Sequence, residues 1–196
     1  MTAIENLKSE MILEKGIEIL WSKGYNGTSV NDIVKSADVP KGSFYFYFDS
    51  KEDFVIKALR KYFVQMFAPA KKILKDTSIS PKERLIKFYE YRVSSLKTDL
   101  QCEKGCMASN LGSEVGEHNE NIREAVLNIH NEVVKTIIRV GKEAQKAGEL
   151  DASVNVKNLV EFIEDAGKGA MVTMKEMKSS YPVDNFLKMV KQVLLK

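Results

Sequence analysis

The stretch Ser29-Val-Asn-Asp-Ile-Val-Lys-Ser-Ala-Asp-Val-Pro-Lys-Gly-Ser-Phe-Tyr-Phe-Tyr-Phe-Asp-Ser-Lys51 decides the fold. Ser29 with Asp32 three positions on has the form of a capping box, and Val30, Ile33, Val34 and Ala37 then recur at helical spacing. One short amphipathic helix is expected there. Pro40 disfavours helical geometry in Val39 but suits the first turn of a new helix, so a second helix is expected from about Lys41. It must be short, because Asp49 and Ser50 reset the chain and Ser50 with Asp53 forms another capping box before a long periodic run. Two short helices joined by a tight turn have the helix-turn-helix layout, in which the second helix enters the DNA major groove and the first crosses the backbone.

The rest of the chain reads as helix as well. Its 196 residues, 44% hydrophobic and 29% charged, are ordinary for a folded globular protein and allow a small domain plus a larger one. Four prolines and no sustained alternation of period two point to an all-α fold of about nine helices. The first is expected from about Leu7 to Lys23, with Gly24 as its stop. A long helix opens at Lys51 and carries Phe54, Val55, Ala58, Leu59, Tyr62 and Phe63 before Pro69, which is expected to interrupt or bend it. Others follow from Pro81, near Ala108 to Val115, from about Asn119 to Ala147, from about Val154 to Lys178, and from about Val183 onward. The expected division is a DNA-binding domain over 1–51 and a larger helical domain over 52–196. Neither a secretory signal nor a spanning segment is visible, and two cysteines without a disulfide framework fit a reducing cytoplasm, so a cytoplasmic protein without membrane partners is expected.

Gly24-Tyr25, Gly27-Thr28-Ser29, Lys41-Gly-Ser-Phe-Tyr45, Phe48 and Ser50-Lys51-Glu52 together resemble the signature of the TetR family of one-component bacterial repressors. The resemblance implies an N-terminal three-helix DNA-binding unit joined to a larger helical domain that dimerises and binds an inducer. It places DNA contacts on Ser29, Asn31, Lys41, Ser43, Tyr45, Tyr47 and Lys51, with Gly42 permitting close backbone approach. Side-chain chemistry agrees independently. Tyr45 and Tyr47 each carry a hydroxyl on a rigid stem suited to phosphate oxygens, and Lys51 lies in the first turn of a helix. Phe44 and Phe48, at i and i+4, read as the anchor of this short helix, while Phe46 stands where the family often has a polar or basic residue. The unit is not basic: Lys8, Lys15, Lys23, Lys35, Lys41 and Lys51 face Glu5, Glu10, Glu14, Glu18, Asp32, Asp38 and Asp49. Weak non-specific binding and strong dependence on dimer geometry are therefore expected.

Ala166, Gly169 and Ala170 on one C-terminal helix, and Phe186, Val190 and Leu194 on the last, are compatible with the four-helix dimer interface that the family implies. The competing reading packs both helices inside one subunit. A homodimer would place its two recognition helices about 34–36 Å apart and call for a palindromic operator.

Gly105-Cys106-Met107 and Leu111-Gly-Ser-Glu114 resemble the acrylate- and electrophile-responsive branch of the family, the subgroup like the N-ethylmaleimide-responsive repressor. That resemblance implies Cys106 as a redox and electrophile sensor and Lys175 as its covalent partner. Cys106 also stands at a helix start, where the dipole favours thiolate; the alternative is a small apolar side chain lining a ligand pocket. Cys102 reads as a resolving thiol or a loop residue, and Glu114 and Glu117 as solvated or pocket-lining carboxylates. Cys102, Cys106, His118 and His130 lack metal-site spacing, and no phosphate-cradling loop, nucleophile elbow or His-Glu-x-x-His run is present, so neither an enzyme nor a metal or other cofactor is expected. The expected function is a homodimeric repressor on double-stranded DNA, released by an unidentified small molecule, electrophile or oxidant. The alternative is a constitutive or architectural DNA-binding dimer.

Overall fold

The computed structural model describes residues 3–195, the side chains of 3–6 and of Leu194 excepted. Helix α1 (Ala3–Lys23) stops where Gly24 turns left-handed at φ +71° and donates its N–H to the Leu20 carbonyl at 2.9 Å. Helix α2 (Val30–Ser36) opens with the expected capping box: the Ser29 hydroxyl accepts the Asp32 N–H at 3.1 Å and the Asp32 carboxylate accepts the Ser29 N–H at 2.9 Å. Helix α3 (Lys41–Tyr47) starts behind Pro40 and lasts only seven residues. Helix α4 (Lys51–Lys75) follows, its first turn capped by the Ser50 hydroxyl, which accepts the Asp53 N–H at 3.0 Å.

Pro69 does not interrupt α4, which runs on to Lys75. Proline removes one N–H from the ladder, but the buried side chains on either side of it, Phe67, Ala70 and Leu74, hold both flanks in helix. Then come α5 (Pro81–Thr98), α6 (Met107–Val115), α7 (Glu120–Lys146), α8 (Val156–Met177) and α9 (Tyr181–Met189), continued by a π-helical turn over Val190–Leu194. No strand occurs among the described residues.

The chain forms two compact units, one of residues 3–65 with 107–129 and one of 66–106 with 130–195. Besides α1, α2 and α3, the first unit holds the start of α4, all of α6 and the start of α7. The apolar faces explain this, since Phe54, Val55, Ala58, Leu59 and Tyr62 of α4 and Met107, Ala108, Leu111 and Val115 of α6 are all buried.

The centre of the first unit is aromatic. Phe44, Phe48 and Phe54 are fully buried, with ring centroids 5.1 Å apart for Phe44–Phe48, 5.7 Å for Phe44–Phe54 and 5.1 Å for Phe48–Phe54. Gly16 of α1 backs onto this cluster so closely that a Cβ there would lie 2.4 Å from Cζ of Phe54. On the outside, Lys61 of α4 pairs with Glu10 and, at 3.2 Å, with Glu14 of α1.

In the second unit, Val93, Met171, Met174 and Val183 form a buried cluster joining α5, α8 and α9. Helix α8 is capped by the Asn155 carboxamide, which accepts the Asn158 N–H at 3.1 Å, and ends at Lys178 in left-handed geometry. Arg84, buried, donates to Glu143 at 2.7 Å and to the Leu74 carbonyl at 3.2 Å.

The Gly16–Phe54 contact predicts a sign. Gly16→Ala gains about 1 kcal/mol of helix propensity but forces a methyl into a fully packed ring, at a cost of about 1–3 kcal/mol. The urea midpoint of Gly16→Ala should fall below that of the native chain; a higher midpoint would show that the ring yields freely.

Candidate nucleic-acid interface

Helix α3 has one anchored and one open side. Phe44 and Phe48 are buried, while Lys41 and Gly42 are exposed and Ser43 and Tyr47 partly so. Tyr45 is 56% and Phe46 66% accessible, a large aromatic surface facing water from so short a helix. A Cβ on Gly42 would meet nothing within 4 Å, so the backbone there is open to approach. Asn31 is exposed on α2. Asn31, Lys41, Gly42, Ser43, Tyr45 and Tyr47 are thus all accessible, and the exposed Phe46 offers an apolar ring beside them.

Ser29 and Lys51 are differently placed. The Ser29 hydroxyl donates to the Asp32 carboxylate at 2.6 Å while accepting the Asp32 N–H, so capping occupies it. Lys51 Nζ donates to the carbonyls of Tyr25 at 2.9 Å and Thr28 at 3.1 Å and lies 3.9 Å from the Tyr25 ring centroid. Burial pulls its pKa below the ordinary lysine value, with the Glu114 charge opposing. The expected phosphate ligand is therefore first a clamp on the turn between α1 and α2, with one of its three N–H groups left over.

That turn is held from other directions as well. Thr28, buried, donates its hydroxyl to the Gly24 carbonyl at 2.6 Å. From α6, Glu114 accepts the Tyr25 N–H on Oε2 and the Asn26 N–H on Oε1, each at 2.8 Å. Consecutive N–H groups behind a left-handed residue form an anion-binding nest. Gly24 is doubly required, because its φ is positive and a Cβ would stand 2.3 Å from Glu114 Oε2. From the sequence alone Glu114 is expected to be solvated or pocket-lining. Its partners lie 88 and 89 residues away, and no local pattern announces them.

Two substitutions separate these roles. Tyr45→Phe should weaken binding to all duplexes alike, by a few-fold, with an unchanged urea midpoint. Lys51→Ala should lower both the midpoint and DNA affinity, because it frees two carbonyls of the turn. A stable Lys51→Ala whose salt slope drops by about one would return Lys51 to the phosphates.

The second unit carries the sensor candidates. Cys102 and Cys106 are free thiols, partly buried, and both pack against the Val93, Met171, Met174 and Val183 cluster. Cys102 lies in a turn with φ +59°, after Gln101 at φ +50°, so the two cysteines are not related by a helical turn. Lys175 follows Met174 on α8 and is partly exposed. Arg92 of α5 belongs to a polar group in the same unit. Its Nη1 donates to both oxygens of the buried Glu164, at 2.7 and 2.9 Å, and its guanidinium lies 5.3 Å from the Phe88 ring centroid. Burial pulls the Arg92 pKa down, and Glu164 more than reverses it. Beside them lies the buried Tyr89 hydroxyl, whose pKa is pushed well up, first by burial and then by the Glu164 charge. Sequence reading missed this polar group. Its signal was Glu164 itself, a carboxylate among Val160, Ile163, Met171 and Met174 on the buried side of α8.

The dimer candidates divide. Val190 is fully buried in the single chain, Phe186 packs on Tyr89 at 6.0 Å and on Gly167, and Ala170 lies against the apolar cluster. Val190 has no surface to offer a partner, whereas Phe186 and Ala170 stay partly exposed beside these contacts within the protomer. Ala166 is partly exposed, and a Cβ on Gly169 would meet nothing within 4 Å; the Leu194 side chain lies outside the described residues. The outward surface of α8 and α9 also carries the exposed apolar side chains of Phe162, Val172, Met177, Tyr181 and Met189. Among the described residues, no three His, Cys, Asp or Glu side chains group to hold a metal, and no helix is long and apolar enough to cross a membrane.

Comparison with known proteins agrees with this layout. Residues 12–58 match the model of bacterial regulatory proteins of the tetR family, and 81–190 that of the tetracyclin repressor-like C-terminal domain. The chain is 30% identical over 184 residues to the HTH-type transcriptional repressor DhaR of Mycobacterium sp. (strain GP1), covering 94% of this chain and 90% of that one. It is 23% identical over 189 residues to the repressor NemR of Escherichia coli (strain K12), covering 94% and 92%. A crystal structure of regulatory protein TetR from Rhodobacter sphaeroides superposes with a TM-score of 0.85 at 29% identity, covering 93% of this chain and 96% of that one. With an accessible recognition helix and both family models matched, the chain belongs to the TetR family of DNA-binding transcriptional regulators, which are not enzymes.

Proposed function

We propose that the protein is a homodimeric repressor that binds a palindromic operator through α3 and is released when a small molecule, electrophile or oxidant acts on the second unit. DhaR and NemR carry the name repressor, which supports the sign of regulation. The observation that carries dimerisation is the outward surface of α8 and α9, where Phe162 is 60%, Met177 56% and Val172 48% accessible around an open Gly169. Side chains of this size at helical spacing on two adjacent helices suit a four-helix interface. Asn31, Lys41, Ser43, Tyr45 and Tyr47 are assigned to DNA, with Gly42 for backbone approach; Ser29 and Lys51 act mainly by shaping the motif.

Sensing is assigned to Cys106. It directly precedes α6, and it packs against the apolar cluster to which Met171 and Met174 of α8 contribute, Met174 being the neighbour of Lys175 in sequence. Modification there adds bulk beside a packed cluster, and a few kcal/mol of differential stability are enough to move a site from mostly bound to mostly free. Lys175 is the assigned covalent partner. A constitutive dimer differs in one respect, that no reagent releases it.

Two measurements test this reading. Gly169→Leu should yield a folded monomer that no longer binds operator in sedimentation and titration. A Cβ at Gly169 meets nothing within 4 Å in the single chain, so the urea midpoint of the variant should stay near that of the native protomer. A native chain that sediments as a monomer at micromolar concentration contradicts the proposal. Separately, N-ethylmaleimide should release DNA from the native protein and from Cys102→Ser but not from Cys106→Ser; full release from Cys106→Ser removes the sensor assignment.

A further inference from the structure

We propose that Glu114 is a positioning residue for DNA binding: from α6 its carboxylate fixes the turn between α1 and α2, so that the helix-turn-helix keeps its binding geometry only while α6 keeps its place. The inference rests on the DNA-binding role of the first unit and not on the identity of the sensor.

Three features carry it. First, the contact is two-pronged, with each oxygen of one carboxylate taking one of two consecutive N–H groups at 2.8 Å, which sets direction as well as distance. Second, the turn it grips leads straight into the motif. Thr28, held through its hydroxyl by Gly24 and through its carbonyl by Lys51, is followed immediately by Ser29, the cap of α2. A shift of the Tyr25–Asn26 backbone is therefore delivered to the start of α2 without a flexible spacer. Third, α6 is a short rod of nine residues, about 13 Å long, with Glu114 next to its end. The Met107 N–H at its start donates to the Tyr62 hydroxyl at 3.4 Å, and Gly112 in its middle lies close against Val126 of α7. Displacement of its first turn must reappear at Glu114.

Glu114 is exposed, so water competes for its carboxylate. The grip can thus open and close at modest cost, as a switchable contact must. Lys51 and Glu114 hold opposite poles of the turn, one its carbonyls and the other its N–H groups. Loss of either leaves the other gripping a backbone that can rotate.

Charge makes the test decisive. The first 51 residues carry six lysines against seven carboxylates, so removing an acid near the motif should by electrostatics alone strengthen attraction to DNA. The proposal predicts the opposite. A duplex selected from a random-sequence pool by the full-length protein serves as probe, and the amides of residues 24–29 are followed by hydrogen exchange. Glu114→Ala should weaken binding to that duplex about tenfold and speed exchange of the Tyr25 and Asn26 amides by a similar factor. Glu114→Gln retains one acceptor oxygen and should fall between, a partial rescue. Glu117→Gln removes the same charge from a neighbouring exposed carboxylate and should leave turn exchange unchanged and binding equal or tighter. The salt slope of binding should stay that of the native protein in Glu114→Gln, since no phosphate contact is lost. Native-like or tighter binding by Glu114→Ala, or unchanged exchange at Tyr25 and Asn26, overturns the proposal.

Discussion

A helix of seven residues has no stability of its own in water, and α3 exists because Phe44 and Phe48 are buried against Phe54. Each buried ring contributes about 1.5–3 kcal/mol, and together they fix both the position of α3 and its rotation about its own axis. The face that α3 turns to solvent follows from that rotation. With two aromatic side chains committed inward, Tyr45 and Phe46 are turned out and Gly42 is left open. The closeness of Gly16 to Phe54 extends the same constraint to α1.

Because the unit lacks a basic surface, attraction to phosphates does little to hold it on DNA, and geometry must do more. The polar contacts around the turn between α1 and α2 fit that need. Lys51, which in a strongly basic domain would serve as one more phosphate contact, is drawn inward to two carbonyls, and Glu114 reaches the same turn from α6. Charged groups here set the shape of the motif before they contribute to binding.

What the sequence made legible was local. The capping box of Ser29 and Asp32, the opening of α3 behind Pro40, the stop at Gly24 and the inward pair Phe44 and Phe48 all depend on neighbours within about four residues, and each stands where the pattern placed it. What it hid was non-local. Periodicity says that a face of the last helix and the turn after it is apolar but not what covers it: Val190 is buried within its own protomer, while Phe186 packs on Tyr89 and keeps part of its surface exposed. Arg92 with Glu164, 72 residues apart, and Glu114 with its turn are pairs that no spacing rule can find. Pro69 taught a milder lesson: the loss of one N–H is small beside the burial that keeps α4 helical.

The central claim is that α3 reads the major groove from each half of a symmetric complex, and methylation protection tests it most directly. The selected duplex, probed with dimethyl sulfate at guanine N7, should show two protected major-groove patches whose centres lie one helical turn apart, about 34–36 Å. Protection of a single patch, or of the minor groove with N7 left reactive, would contradict the account.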